Sequence, residues 1–255
     1  MTIGIGYAAR EWILLCSDME LTSGFAKFKG IKDYFTWFDN QKGVIACVFS
    51  DKPDDMHCVW EQVELGIADR EKNGSSLTIV DVRTILTQSL KTVFINRRSK
   101  FQMLVAISKT GEESQFLRVW NTQVSPVSVG GWEAIGGGDV ELTRYLISLM
   151  YHQHLSEYQA ACWASHMVDI ASKFVQGVGQ GIRLSLVSNG HIQYMMGEVY
   201  SKKMRVVDSY VAGLWFDFCN VDRLTEDEFK TRVKNFADAT LVVRGTIPKI
   251  LISGG

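Results

Sequence analysis

Proline is scarce in this sequence, and long apolar runs are absent. Only 3 prolines occur among 255 residues, with no low-complexity tract, so an inter-domain linker is hard to place and one compact domain with a C-terminal extension is favoured. No apolar run approaches the length of a membrane span, and the N-terminus lacks the zones of a secretory signal. We therefore expect a cytoplasmic protein with no membrane partner.

Neither sign of charge is in excess. The chain has 27 Lys and Arg residues against 28 Asp and Glu residues, so no overall field attracts nucleic acid. Hydrophobic residues make up 46% and charged residues 22%, as in ordinary globular proteins. Partners must therefore be inferred from local features, and we expect no nucleic-acid partner.

Cysteine and histidine spacings give no metal site. The cysteines are odd in number, scattered and never in a CxxC pair, which favours buried thiols over disulfides or zinc: Cys16, Cys47, Cys58, Cys162 and Cys219. His152 and His154 are two apart on a predicted helix, so they point to nearly opposite faces and cannot chelate one ion. We expect no metal and no other cofactor.

The first residues predict a β-hairpin. Residues 2–8 alternate between apolar and small side chains, and "EWILLCSD" (11–18) is the dense apolar run of a strand covered on both faces. If the turn centres on Ala9 and Arg10, antiparallel pairing places Thr2 opposite Ser17, with Asp18 next to it.

The remaining elements predict an α+β protein, a four-layer αββα sandwich of two antiparallel sheets flanked by helix pairs. Strands at 32–38 and 43–50 precede a helix that begins near Pro53 and a second helix with its stripe at Val82, Ile85, Leu86, Leu90, Val93 and Phe94. Further strands are "FQMLVAIS", "QFLRVW", "WEAIGGGD", "GIRLSLVS" and "HIQYMM". Two helices lie between "WEAIGGGD" and "GIRLSLVS", marked by Leu142, Tyr145, Leu146 and Leu149 and by Trp163, Met167, Ile170 and Phe174. Residues 197–255 form a helical extension with a last strand at "ATLVVRG", which we expect to pack on the domain of residues 1–196.

With this order of elements, the chain resembles the proteasome β-subunit family, including the simpler bacterial protease whose double ring works with an unfolding ATPase. Thr2 opens a hairpin, "SDMELTSG" (17–24) has an Asp, a Thr and a Gly at the family's offsets, Lys32 heads the next strand, and "AIGGGD" (134–139) precedes a helix. The resemblance covers about the first 195 residues. It implies the N-terminal nucleophile (Ntn) hydrolase fold.

The resemblance implies a threonine-type peptidase or amidohydrolase that acts on peptides or proteins. Removal of Met1 would expose Thr2, whose hydroxyl is the nucleophile and whose own α-amine, with an ordinary pKa of about 7.7 to 8.0, is the base. Lys32 would lower the pKa of both groups, and Asp18 would pair with Lys32 and orient it. We expect no propeptide, a homo-oligomeric ring and an unfolding ATPase as partner.

The supporting residues depart from the family pattern. Ser50 and Asp51 stand where a backbone N–H would hold the oxyanion and where the family favours glycine. Gly137 replaces a serine, and Gln176 and Gly179 replace an Asp and a Ser that support the terminal amine. These departures leave open a catalytically inactive scaffold or ring subunit. A peptide ligase, in which Thr2 transfers an acyl group to an amine, is also open.

Overall fold

The computed structural model describes residues 3–23, 26–29, 32–50, 53–95, 100–136, 147, 155–174, 178–179, 181–219 and 225–246. Within these residues the strands are β1 (Ile3–Ala8), β2 (Trp12–Asp18), β3 (Glu20–Ser23), β4 (Ala26–Lys29), β5 (Asp33–Phe38), β6 (Gly43–Ser50), β7 (Gln102–Lys109), β8 (Gln115–Trp120), β9 (Gln123–Pro126), β10 (Trp132–Gly136), β11 (Ile182–Ser188) and β12 (His191–Met196). The helices are α1 (Pro53–Lys72), α2 (Ile79–Phe94), α3 (Glu157–Phe174), α4 (Gly197–Cys219) and α5 (Glu226–Thr246). One compact unit ends at Gly197 and a second begins at Glu198.

Two antiparallel sheets form the first unit. Their strand orders are β10–β1–β2–β11–β12 and β5–β6–β7–β8–β9, and β3 and β4 make a separate hairpin. Helices α1 and α2 pack on the outer face of the second sheet, and α3 packs on β1, β2 and β11 of the first. The predicted α+β sandwich is confirmed.

Strand β6 shows why the layers form. Its alternate residues Val44, Ala46 and Val48 enter the core between the sheets, while Ile45, Cys47 and Phe49 enter the core under α1 and α2. Because successive side chains of a strand point to opposite faces, a strand that is apolar at every position needs a layer on each side. The same holds for β2, whose seven residues are all buried.

The β1–β2 hairpin differs from the predicted register. The Ala9 N–H donates to the Trp12 carbonyl at 2.9 Å, which puts Arg10 and Glu11 at the centre of the turn. Ser17 therefore pairs with Gly4, and the predicted pairing of Ser17 with Thr2 was wrong. The turn lies one residue later than predicted, so the partner of each residue on the opposite strand moves by two positions. Each side chain keeps its face because strand side chains alternate with a period of two.

The C-terminal prediction of a strand at "ATLVVRG" was also wrong. Helix α5 runs through Thr246, and Leu241 and Val242 on it are 62% and 68% exposed. Thr225 starts this helix, because its hydroxyl accepts from the Glu228 N–H at 3.3 Å. Once a helix is nucleated, each β-branched residue lowers its stability by less than about 1 kcal/mol, so the local strand preference is overridden.

Some elements were not predicted, and one lies outside the described residues. Strands β3, β4 and β9 are short and lack a long apolar pattern. The residues that mark the other predicted helix, Leu142, Tyr145, Leu146 and Leu149, lie outside the described part of the chain. None of the helices in the described ranges is both long enough and apolar enough to span a bilayer.

Gly6 gives a test of the packing between the sheets. A Cβ at Gly6 would collide with the ring of Phe116, which is buried between the sheets. Gly6→Ala should therefore lower the free energy of unfolding by about 1 to 3 kcal/mol, measured by urea denaturation. Adding Phe116→Leu should recover part of the loss. Gly213→Ala, on a helix position with no neighbour within 4 Å, should instead raise helix stability by up to about 1 kcal/mol. Equal effects at both glycines would contradict this account.

Candidate functional site

The strands of the first sheet bring the beginning of β1 next to the end of β2. Ile3 pairs with Gly136, the last residue of β10, and Asp18, the last residue of β2, pairs with Ile182 at the beginning of β11. Asp18 is buried with no exposed surface. A carboxylate is thus placed inside the protein where the chain enters its first strand.

Asp18 is the centre of the candidate site. Its Oδ1 accepts a hydrogen bond from the Ile3 N–H at 2.9 Å. Its Oδ2 accepts from Lys32 Nζ at 2.7 Å and from the Gly179 N–H at 3.0 Å. Asp18 and Lys32 are thus in direct contact, and three donors from separate segments fix the orientation of the carboxylate.

Lys32 reaches Asp18 from the other sheet. It immediately precedes β5, and its carbonyl accepts from the Phe49 N–H of β6 at 3.3 Å. Both side chains of the ion pair have 0% exposure. Removing two charges from water costs several kcal/mol per ion, so a pair this deeply buried requires close contact and further hydrogen bonds. The short distance and the two backbone donors on Asp18 meet that requirement.

Gln102 adds a second polar contact between the sheets at this end. Its Oε1 accepts from the Gly136 N–H at 3.1 Å, so β7 is tied to the end of β10. Ser50, the last residue of β6, pairs with Gln102 and is buried. The predicted oxyanion segment therefore begins at the same end of the second sheet.

Thr2, Asp51, Gly137 and Gln176 lie outside the described residues. Their roles, and the catalytic roles of Asp18 and Lys32, stay predictions.

Gly179 contributes to the site in a way that the sequence did not indicate. It stands where the resemblance leads one to expect a polar side chain, yet its backbone N–H donates to Asp18. A backbone donor is available at any residue except proline, so no residue type marks it in the sequence.

A second ion pair beside the site was also missed. Arg183 Nε lies 2.9 Å from Asp33 Oδ1, and the Asp33 side chain is 4% exposed. The Arg183 guanidinium carbon lies 4.2 Å from the centroid of the Tyr194 ring. Burial raises the pKa of Asp33, and the charge of Arg183 opposes this without cancelling it. Burial, with the charge of Asp33, raises the pKa of Tyr194.

Comparison with known proteins bears on the fold of this chain: solved structures of Anbu share it. No family model matches the sequence, and no curated protein does. One similar solved structure is Anbu from Yersinia bercovieri, described as an ancestral beta-subunit. Its TM-score is 0.63 and its sequence identity 11%, and the match covers 98% of this chain and 99% of that chain. Anbu from Hyphomicrobium sp. strain MC1 is similar as well, with a TM-score of 0.65 and 7% identity over 98% of this chain and 100% of that chain. A mutant of the Hyphomicrobium protein has a TM-score of 0.70 and 8% identity over 88% of this chain and 100% of that chain. The predicted resemblance is confirmed for the fold.

Substitutions at the central ion pair should reveal its coupling. Asp18→Asn turns an amide N–H toward at least one of the three donors on Asp18, and Lys32→Met leaves a buried carboxylate without its cation. Each should lower the free energy of unfolding by about 3 to 5 kcal/mol, and the double variant by clearly less than the sum, in urea denaturation.

The exposed pair of Lys72 and Asp69, with side chains 78% and 76% exposed, is the matched control. Lys72→Met should leave stability nearly unchanged because water screens the charge. Additive losses at Asp18 and Lys32 would contradict the coupling.

The raised pKa of Asp33 predicts a pH dependence of stability. A carboxyl whose pKa is higher in the folded state contributes stability below its unfolded pKa, about 3.9, and that contribution is lost as the pH rises through the folded pKa. Asn is neutral at every pH. Relative to the parent chain, Asp33→Asn should therefore be most destabilising near pH 3 and less so near neutral pH. Urea denaturation across this range checks the trend, and a cost that grows with pH would contradict it.

Proposed function

We propose that this protein is a threonine-type Ntn amidohydrolase that cleaves amide bonds in peptides or proteins, with Thr2 as nucleophile once Met1 is removed. One observation carries the proposal. Asp18 accepts from the N–H of Ile3, the residue bonded to Thr2, and at the same time from the ammonium of Lys32. The Asp18 carboxylate therefore connects the N-terminal segment to the Lys32 ammonium through hydrogen bonds to both.

The proposed reaction uses one residue as nucleophile and base. The Thr2 α-amine takes the hydroxyl proton while Oγ attacks the scissile carbonyl, and a tetrahedral oxyanion forms. Backbone N–H groups after Ser50, with Asp51 among them, hold the oxyanion. The protonated amine then gives its proton to the leaving amine as the C–N bond breaks. Water hydrolyses the remaining ester and regenerates the hydroxyl.

Lys32 acts on this reaction through its charge. A cation near the Thr2 amine and hydroxyl favours the neutral amine and the developing alkoxide, so it lowers the pKa of both. Asp18 keeps the ammonium in place, and the Gly179 N–H keeps the carboxylate in place. Gly137 and Gln176 complete the surroundings of the amine in this proposal.

Assembly is part of the same proposal. One similar solved structure is described as an ancestral beta-subunit, and the resemblance of this sequence to the proteasome β-subunit family implies assembly in a ring. We propose a homo-oligomeric ring for this chain. An unfolding ATPase partner and a cytoplasmic location stay predictions from the sequence.

A catalytically inactive scaffold or ring subunit is the second candidate. Gly179 favours it, because this position gives Asp18 a backbone N–H where the family supplies a polar side chain to support the amine. General acid–base contributions amount to about 10² to 10⁴ in rate, so a lost support could remove most of the activity.

Covalent labelling distinguishes the two candidates. Protein with its native N-terminus is incubated with a threonine-directed β-lactone or epoxyketone and its intact mass is measured. We expect loss of Met1 and one adduct, located on Thr2 by peptide mapping, because an activated N-terminal threonine reacts with both reagents. Peptide turnover should be lost in parallel.

Thr2→Ala should abolish both labelling and turnover. Thr92→Ala, an exposed threonine on α2, is the matched control and should change neither. Retention of Met1, no adduct, or an adduct that survives Thr2→Ala would overturn the catalytic proposal and leave the scaffold.

A further inference from the structure

The second ion pair lies directly beside the first in both sheets. Lys32 and Asp33 are consecutive, and they reach different strands of the first sheet: Lys32 reaches Asp18 of β2, and Asp33 reaches Arg183 of β11. Arg183 pairs with Ser17, which precedes Asp18. Consecutive residues at the beginning of β5 are therefore held by neighbouring positions of β2 and β11.

Arg183 is held on two sides. Asp33 Oδ1 lies 2.9 Å from its Nε, and the Tyr194 ring of β12 lies under its guanidinium at 4.2 Å. A planar guanidinium that is both ion-paired and stacked on an aromatic ring has little freedom to move. Through Arg183, strands β11 and β12 both hold the first residue of β5.

The energetics of this ion pair favour a role in fixing local geometry over a role in stabilising the fold. Burial raises the pKa of Asp33 despite the neighbouring Arg183, so ionised Asp33 is less favourable in the folded chain than in water. Buried ion pairs are weak contributors to stability, yet they can fix a unique geometry. Here the geometry that is fixed is the backbone one residue from Lys32.

We propose that Asp33 and Arg183 are positioning residues for Lys32: their ion pair holds the beginning of β5 against the first sheet, so that the ammonium stays on Asp18 and close to the N-terminal amine. This inference rests on the proposed function, because it gives Lys32 a place relative to the Thr2 amine. Neither Asp33 nor Arg183 touches the reacting atoms in this proposal.

Other charged groups near Asp33 must be considered in any test by pH. Within the described residues, several strands bring titratable or charged groups to Asp33 or next to it. These groups are Arg183 of β11, Tyr194 of β12, Cys47 of β6, Tyr34 of β5, Lys32 just before β5, and Asp18 of β2. Burial raises the pKa of the Cys47 thiol and of the Tyr34 hydroxyl, so neither group ionises near neutral pH.

The chain offers a closely matched control pair. Arg118 of β8 and Glu133 of β10 also join the two sheets, at 3.4 Å, with side chains 27% and 24% exposed. Arg118 also lies over an aromatic ring, that of Trp120, at 5.5 Å. Arg183 has the same 27% exposure. The control pair is longer than the proposed positioning pair and its acid is more exposed than Asp33, and neither of its residues adjoins Lys32 or Asp18 in sequence.

The experiment measures the pKa of the Thr2 α-amine in protein whose Thr2 is exposed, by competitive acylation and mass spectrometry. The variants are Arg183→Met, Asp33→Asn and Arg118→Met. By direct charge alone, removing a cation would raise the amine pKa and removing an anion would lower it. By positioning, both Arg183→Met and Asp33→Asn raise it, because Lys32 moves away from the amine in either case. We expect a rise of up to about one unit in both and none in Arg118→Met.

Shifts of opposite sign in Arg183→Met and Asp33→Asn, or no shift in either, would overturn the proposal. The measurement needs no turnover, so it stands whether or not the chain proves to be a peptidase. Where turnover is found, kcat should fall about tenfold to a hundredfold in both variants with KM little changed, and the acid limb of kcat/KM should move to higher pH. Urea denaturation shows that each variant is folded, and Asp33→Asn, which keeps the shape of its parent, carries the test if Arg183→Met does not fold.

Discussion

A buried carboxylate–ammonium pair between two sheets is the constraint on which the rest of this site depends. Asp18 and Lys32 come from different sheets and are both removed from water. Neither charge is tolerable there without the other, so the end of β2 and the beginning of β5 must stay together in the folded chain. The N–H groups of Ile3 and Gly179 then have a fixed acceptor, and the entry to β1 is placed as a consequence.

The apolar core between the sheets sets the distance that this ion pair spans. Gly4 and Gly6 of β1 leave room for Val48 and Phe116 of the other sheet, so the sheets approach closely. Close-packed cores deform little, and an apolar surrounding strengthens the attraction between opposite charges. Apolar packing between the sheets therefore helps to decide whether Lys32 reaches Asp18.

The sequence predicted what depends on side-chain pattern and missed what depends on the backbone. The dense apolar run of β2 and the apolar stripe of α2 were sufficient for both elements and for the layer order. The hairpin register was not predictable in this way, because its turn lacks the Gly or Asn that would fix it. The donor at Gly179 is a backbone N–H, which no residue type marks in the sequence. Arg183 is an ordinary cation in the sequence until the fold brings it against Asp33, the first residue of β5.

Solved structures with 7% to 11% identity share this fold, which shows how few residues it requires. Alternating apolar strands and helix stripes can be built from many side chains, so they leave little trace in sequence identity. A buried ion pair is different, because each partner is needed by the other and neither can change alone at low cost. Asp18 and Lys32 are therefore the part of this site in which a single substitution should be least tolerated.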